Sequence, residues 1–307
     1  MLNGRVRSFL TGELFIIASA TLWGIISCFS RPLNALGFTS AEITFVRSIL
    51  SVVFLGVFLL IKDRRLFKIS PHDIPLMFFL GVVCFMLVCF FYTRSIEENG
   101  SSTAAMLEYT SPIWAMILSR IIFKEKATFL KVVALAGVLC GCALLSFGGE
   151  MKISGIGLVF GLGTGIFLAL YGVVSKLATE KYSVETIVFY MFLFSTLGSF
   201  FIAPAWTIPD KIAAGPTSIY YFLGFAALST TLAYVFYAAG LRTVSAVKAS
   251  MFSTVEIITA AAVGLIVFND RIGVLGYVGI VVTVVSLVFL QLIDVAHHEK
   301  KPKVEPQ

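Results

Sequence analysis

Residues Gly155–Gly172 read GIGLVFGLGTGIFLALYG, and six of these eighteen are glycine. Such density suggests a loop wrapped around a phosphate. A dinucleotide fingerprint needs G-x-G-x-x-G after a strand, and a P-loop needs G-K-[ST] at its end. Counted from Gly155 and Gly157, the third glycine position holds Phe160; counted from Gly161 and Gly163, it holds Ile166. The first lysine after the stretch begins is Lys176. Neither motif fits. Gly157, Gly161 and Gly165 fall four apart, so on a helix they share one face. A face without Cβ atoms lets another helix come close, and close packing replaces the missing hydrophobic drive in lipid.

Composition supports a lipid setting. The chain is 58% hydrophobic and 13% charged, with a mean hydropathy of +0.96, whereas soluble domains run about 25% charged. A crossing helix needs about 20 apolar residues. Runs of that kind predict an all-α polytopic membrane protein with ten spans: 13–32, 42–61, 75–95, 102–122, 129–147, 155–175, 184–203, 217–240, 246–268 and 272–293. Residues 1–12 read as a cytoplasmic N-terminus, and 294–307 (DVAHHEKKPKVEPQ) as a disordered cytoplasmic tail. Ala18-Ser19-Ala20 imitates a signal cleavage site, but the apolar run continues to about Phe29, so the segment reads as a retained span. All five cysteines (Cys28, Cys84, Cys89, Cys140 and Cys142) fall within spans and imply no disulfide framework.

Lys and Arg in the connections set the orientation. With the N-terminus inside, cytoplasmic segments hold 17 of the 23 and outer segments 5, while Arg47 lies within a span. This bias places both termini in the cytoplasm. It also removes nucleic acid as a partner for the +6 net charge, which is scattered over short loops.

The chain matches itself at an offset of about 143–145 residues. Phe79-Leu80-Gly81 meets Phe222-Leu223-Gly224; Thr39–Glu42 (TSAE) meets Tyr182–Glu185 (YSVE); and Phe123–Lys126 (FKEK) meets Phe268–Arg271 (FNDR). Residues 13–147 and 155–293 thus form two repeats of five spans. Five is odd, so the second enters the membrane inverted, the architecture of secondary transporters.

This order of spans resembles the EamA type of the drug/metabolite transporter superfamily. So do Leu22-Trp23-Gly24 in the first span, Arg47 in the second, and Tyr109-Thr110-Ser111-Pro112 in a fourth span that ends in Phe-x-Glu. The resemblance covers about residues 13–293. It implies a carrier of small metabolites, often amino acids or related compounds, with a central cavity lined by spans 1, 3, 4, 6, 8 and 9. One departure is that Glu256 stands where the second half would match Pro112.

Charges at the bilayer centre cost about 2.5–3.5 kcal/mol on insertion scales and mark functional candidates. Glu256 reads as a cavity carboxyl for a substrate amine or a coupling proton, or else as an interhelical hydrogen-bond partner. Arg47 and Glu108 fall at similar depth: they form an ion pair, or Arg47 turns its planar fork to a substrate carboxylate. Pro112 frees the carbonyl of Glu108 and leaves a break furnished with Tyr109, Thr110 and Ser111. The aromatics Trp23, Tyr92 and Tyr237 complete the expected substrate-binding set, although most of the chain's 29 Phe and 10 Tyr serve packing. Glu125 and Asp270 read as caps for the fifth and tenth helices. No catalytic pair, cofactor motif or metal-ligand spacing occurs.

These observations predict a secondary transporter in the plasma membrane. It would move a small organic metabolite by alternating access, in the export direction, with the lipid bilayer and a coupling proton as further partners. A channel or an intramembrane enzyme are the alternatives.

Overall fold

Backbone N–H and C=O groups find no water inside a bilayer, so a chain of this composition satisfies them within helices. The computed structural model describes residues 4–125, 128–146 and 154–299, and no strand occurs among them. In the first half, α1 (Gly4–Gly24) and α2 (Ser27–Ala35) make one interrupted rod. α3 (Ser40–Lys62) starts from a capping box, in which Thr39 Oγ1 accepts the Glu42 N–H at 3.3 Å and the Glu42 carboxylate accepts the Thr39 N–H at 2.7 Å. α4 (Ile74–Phe78) runs through a π-helical stretch, Phe79–Met86, into α5 (Leu87–Asn99). α6 (Ser101–Glu108) and α7 (Ser111–Ile122) follow, then α8 (Phe129–Ser146).

The second half opens with α9 (Gly155–Ala178) and α10 (Val184–Phe200). The short α11 (Ile208–Ala214) comes next, then α12 (Ser218–Gly224), which continues through π-helical Phe225–Leu232 into α13 (Ala233–Leu241). α14 (Ala246–Ser253), α15 (Val255–Val267) and α16 (Val274–Glu299) complete the chain.

Backbone irregularities recur at offsets of 144–146 residues, close to that read from the sequence. π-Helical stretches begin at Phe79 and Phe225. Rods are broken at Tyr109-Thr110 and at Thr254. Lys124 and Asn269 are both left-handed at φ 54°. After each of them a backbone N–H reaches back six residues, from Glu125 to the Ser119 carbonyl and from Asp270 to the Gly264 carbonyl. A second proline is not needed for the second break: Thr254 Oγ1 bonds the Met251 carbonyl at 2.7 Å, as Thr110 Oγ1 bonds that of Leu107 at 2.6 Å. Hydroxyls that compete for backbone carbonyls open a helix much as proline does.

Among the described residues, eight helical rods are long and apolar enough to cross a bilayer, or nine if α10 and the bent segment after it count as one. The expected fourth span is not among them; it holds Glu108, Arg120 and a run of hydroxyl side chains, which lower its hydropathy. The seventh is 17 residues long. Pro204 then turns the chain by 91° toward α11, since the residue before a proline is pushed out of helical geometry. Helix starts earlier and stops later than expected: α1 begins at Gly4, and α16 runs six residues into the expected tail. Extending an existing helix avoids the cost of nucleation, so Asp294–Glu299 stay helical despite their polarity. Residues 1–3 of the expected N-terminal segment, Lys126, the 147–153 connection with Lys152, and 300–307 lie outside the described residues.

The glycine faces are packing seams. A Cβ on Gly157 would run into Asn99, one on Gly161 into Leu107 and Ser95, and one on Gly165 into Thr110, so α9 lies tight against α5 and α6. Gly141 and Gly279 face each other across α8 and α16, where a Cβ on either would collide with the other's carbonyl. Gly273, just before α16 begins, has open space around it. At the end of the bundle holding α1's start, the halves are tied by Lys62–Glu185 at 2.5 Å and Lys181–Asp73 at 2.8 Å. The Asp73 carboxylate also accepts Tyr182 Oη–H at 2.7 Å, and this bond raises the tyrosine above its ordinary pKa.

Candidate functional site: a carboxyl pair between two broken helices

The two breaks meet. Ser111 opens α7 and Ser250 lies on α14, and their hydroxyls approach to 3.3 Å. Glu108 ends α6, while Glu256 occupies the first turn of α15. The carboxyls therefore sit at opposite helix poles, one at a negative C-terminus and the other at a positive N-terminus. They lie close enough to interact electrostatically, and Tyr92, Tyr109 and Tyr234 fall within the field of both. Both carboxyls stand deep among protein atoms yet are only half-buried, as are Tyr92 and Tyr109.

The local chain explains this placement. Thr110 turns its hydroxyl onto the Leu107 carbonyl and receives Trp114 Nε1–H at 3.3 Å, which holds the break open. Gly24 lets α1 reach the second break, since a Cβ there would strike the Glu256 carbonyl and Thr259. That contact accounts for the glycine of Leu22-Trp23-Gly24.

Trp23 and Tyr237, expected to line the cavity, are instead 6% and 3% exposed. They belong to an aromatic block. Trp23 lies 5.1 Å from Tyr234 and 5.2 Å from Tyr237, and Tyr171 stacks on Tyr237 at 5.4 Å. Phe85 and Phe192 meet Tyr234 edge-on at 5.2 and 5.4 Å. The block stands beside the carboxyls through Tyr234. Tyr234 was not among the expected site residues, because its spacing in the sequence does not distinguish it from packing aromatics.

Arg47 does not pair with Glu108; among the described residues no carboxylate comes within 4 Å of it. It donates to Cys89 Sγ at 3.0 Å and lies over the rings of Phe85 and Phe225 at 5.3 and 5.1 Å. Glu108 sits at the end of the broken α6, near Glu256 and not Arg47. Two desolvated cation–π contacts return about 2 kcal/mol each at best, comparable with the insertion cost of the charge. Arg47 Nε is left without a hydrogen-bond partner.

A cleft of about 440 Å³ opens between α3, α5 and the end of α10, lined among others by Thr44, Met86, Cys89, Arg94 and Ile202. None of the nine expected site residues lines it. Asp270, expected to cap the last helix, reaches instead to Arg31 on α2 at 2.7 Å. That hydrogen bond holds its carboxyl below the usual range. α16 begins only at Val274, too far along for Asp270 to cap it.

A sequence model of the EamA-like transporter family matches residues 10–147 and again 155–292. The chain belongs to the EamA-like transporter family. It is similar to an Archaeoglobus fulgidus protein named an uncharacterized transporter, 27% identical over 89% of this chain and 93% of that protein. It also resembles the Salmonella typhimurium protein named uncharacterized inner membrane transporter YicL, 21% identical over 92% and 95% of the two chains. A solved crystal structure superposes with a TM-score of 0.76, covering 94% of this chain and 99% of that one. At 12% identity it shows a likeness of fold alone. This EamA-like chain is a multi-pass membrane protein, and both family matches, one per half, contain one of the two broken rods.

Proposed function

We propose that this EamA-like protein is a secondary carrier in the plasma membrane that exports a small organic metabolite, an amino acid or related compound, by alternating access. The observation that carries this reading is the pair of half-buried carboxyls, Glu108 and Glu256, one at each of two helix breaks that touch through Ser111 and Ser250. Each break belongs to a different repeat, so rocking the repeats against one another changes the spacing of everything between them. Broken helices at mid-membrane offer polar backbone to a substrate. In this reading, ten spans form two inverted repeats with both termini cytoplasmic.

Glu108 and Glu256 receive a substrate amine or exchange a coupling proton. Tyr92, Tyr109, Thr110 and Ser111 orient the solute by hydrogen bonds, and the block of Trp23 and Tyr237 braces the wall behind. Counterflow in proteoliposomes tests it. Vesicles loaded with unlabelled amino acids should take up the labelled species faster than empty vesicles. Uptake that ignores the internal load for every solute, while the solute still crosses, identifies a channel and ends the carrier reading.

A further inference from the structure

The cleft between α3, α5 and α10 lies at the end of the bundle away from the termini, and Arg47 lies behind its wall, bonded to the lining residue Cys89. Thr44, which lines the cleft, is one turn before Arg47 on α3, and Cys89, also a lining residue, takes its N–H. Arg47 is 9% exposed, and its Nε has no partner. Phe85 and Phe225 hold the guanidinium from its flanks. A planar fork fixed between rings, with donor capacity unspent, is shaped to receive an oxyanion.

The other charges near the cleft are matched. Arg94 is bonded to Glu97 at 2.5 Å, and Glu42, beside the mouth, to Lys211 at 2.7 Å. Arg47, by contrast, has no carboxylate within 4 Å among the described residues, and its Nε is unpartnered. Met86, Phe90 and Ile202 supply apolar wall, and the volume of about 440 Å³ falls within the range of small-molecule sites.

We propose that this cleft is a binding site for a small organic monoanion, whose acid group reaches Arg47 as Cys89 turns aside and whose apolar body lies against Met86, Phe90 and Ile202. The site is separate from the carboxyl pair and does not depend on the carrier reading.

The test uses the full chain in nanodiscs with Cys28, Cys84, Cys140 and Cys142 replaced by alanine, leaving Cys89 as the only thiol. Cys89 is treated with anionic sulfonatoethyl and cationic trimethylammonioethyl methanethiosulfonates, each rate being normalised to that with free cysteine. The anionic reagent should be favoured by roughly tenfold, in keeping with one unmatched charge at short range. Benzoate should slow both reagents, and benzamide, of equal shape, should not. Arg47→Gln should abolish both the preference and the benzoate protection, while Arg47→Lys keeps the preference. The benzoate and benzamide arms need no Arg47 variant, so misfolding of Arg47→Gln leaves the test intact. No labelling, a cationic preference, or equal protection by benzamide overturns the proposal. Because labelling requires no transport, a silent transport assay does not bear on it.

Discussion

Lys248 on α14 directs its ammonium into the carboxylate of Glu13 on α1, with the two side chains 3% and 5% exposed. The second oxygen of Glu13 accepts Gln291 Nε2–H from α16 at 2.6 Å. Three helices from both halves are thereby joined at the end where the chain begins. Breaking a buried pair strands one charge and costs about 3–5 kcal/mol, whereas an apolar pair in its place is often tolerated. Lys248→Met should therefore lower the unfolding temperature in detergent sharply, and Glu13→Leu added to it should recover most of the loss. Equal melting of the single and double variants would show that the pair is uncoupled.

If Glu108 and Glu256 serve one substrate site, as proposed, their neutralisations should not be independent. Glu256→Gln should reduce counterflow at least tenfold while leaving the protein monodisperse, and Glu108→Gln should do likewise. The double variant should lose little beyond either single one, because groups that work as a unit are non-additive. Full counterflow in Glu256→Gln at every pH tried removes the carboxyl pair from the mechanism.

The seam between α8 and α16 has no room for a side chain at Gly141, whose Cβ would meet the Gly279 carbonyl and Thr283. Gly141→Leu should destabilise by about 1–3 kcal/mol through overpacking. Gly155→Leu provides the control, since nothing lies near that position. Thermal unfolding of the two proteins side by side checks the difference, which should be seen only at Gly141.

Asp270 gives a dependence on acid. Arg31 holds its carboxyl below the ordinary value, so the bond stabilises the folded state above about pH 4, where an unfolded aspartate is ionised. That contribution fades as pH falls through the depressed folded value. Wild type and Asp270→Asn should differ slightly in melting temperature at pH 7 and converge at pH 3. The difference at pH 7 should shrink in high salt, because both partners are exposed.

The membrane class, the helix positions and the repeat were legible because each rests on a pattern spread over many residues. Gly157, Gly161 and Gly165 were readable as a seam since four-residue spacing has one geometric meaning on a helix. The break at Thr254 was harder: Ser253 and Thr254 supply hydroxyls, but only their approach to the Ser250 and Met251 carbonyls turns them into a break. Arg47 and Glu108 were matched by depth alone, and depth carries no information on azimuth. Lys248 was counted among the loop charges because nothing local reveals that Glu13, 235 residues earlier, meets it inside the bundle.

The π-helical stretches at Phe79–Met86 and Phe225–Leu232 each wind the chain more loosely than the α-helix that follows. Each regular residue turns a helix by roughly 100°. Tightening either stretch to ordinary pitch without shortening it would swivel everything beyond it by about that angle. Cys89 and Tyr92 would leave their faces in one half, and Tyr234 and Tyr237 in the other. The compass bearing of four side chains thus depends on a loose turn in each half that absorbs one surplus residue.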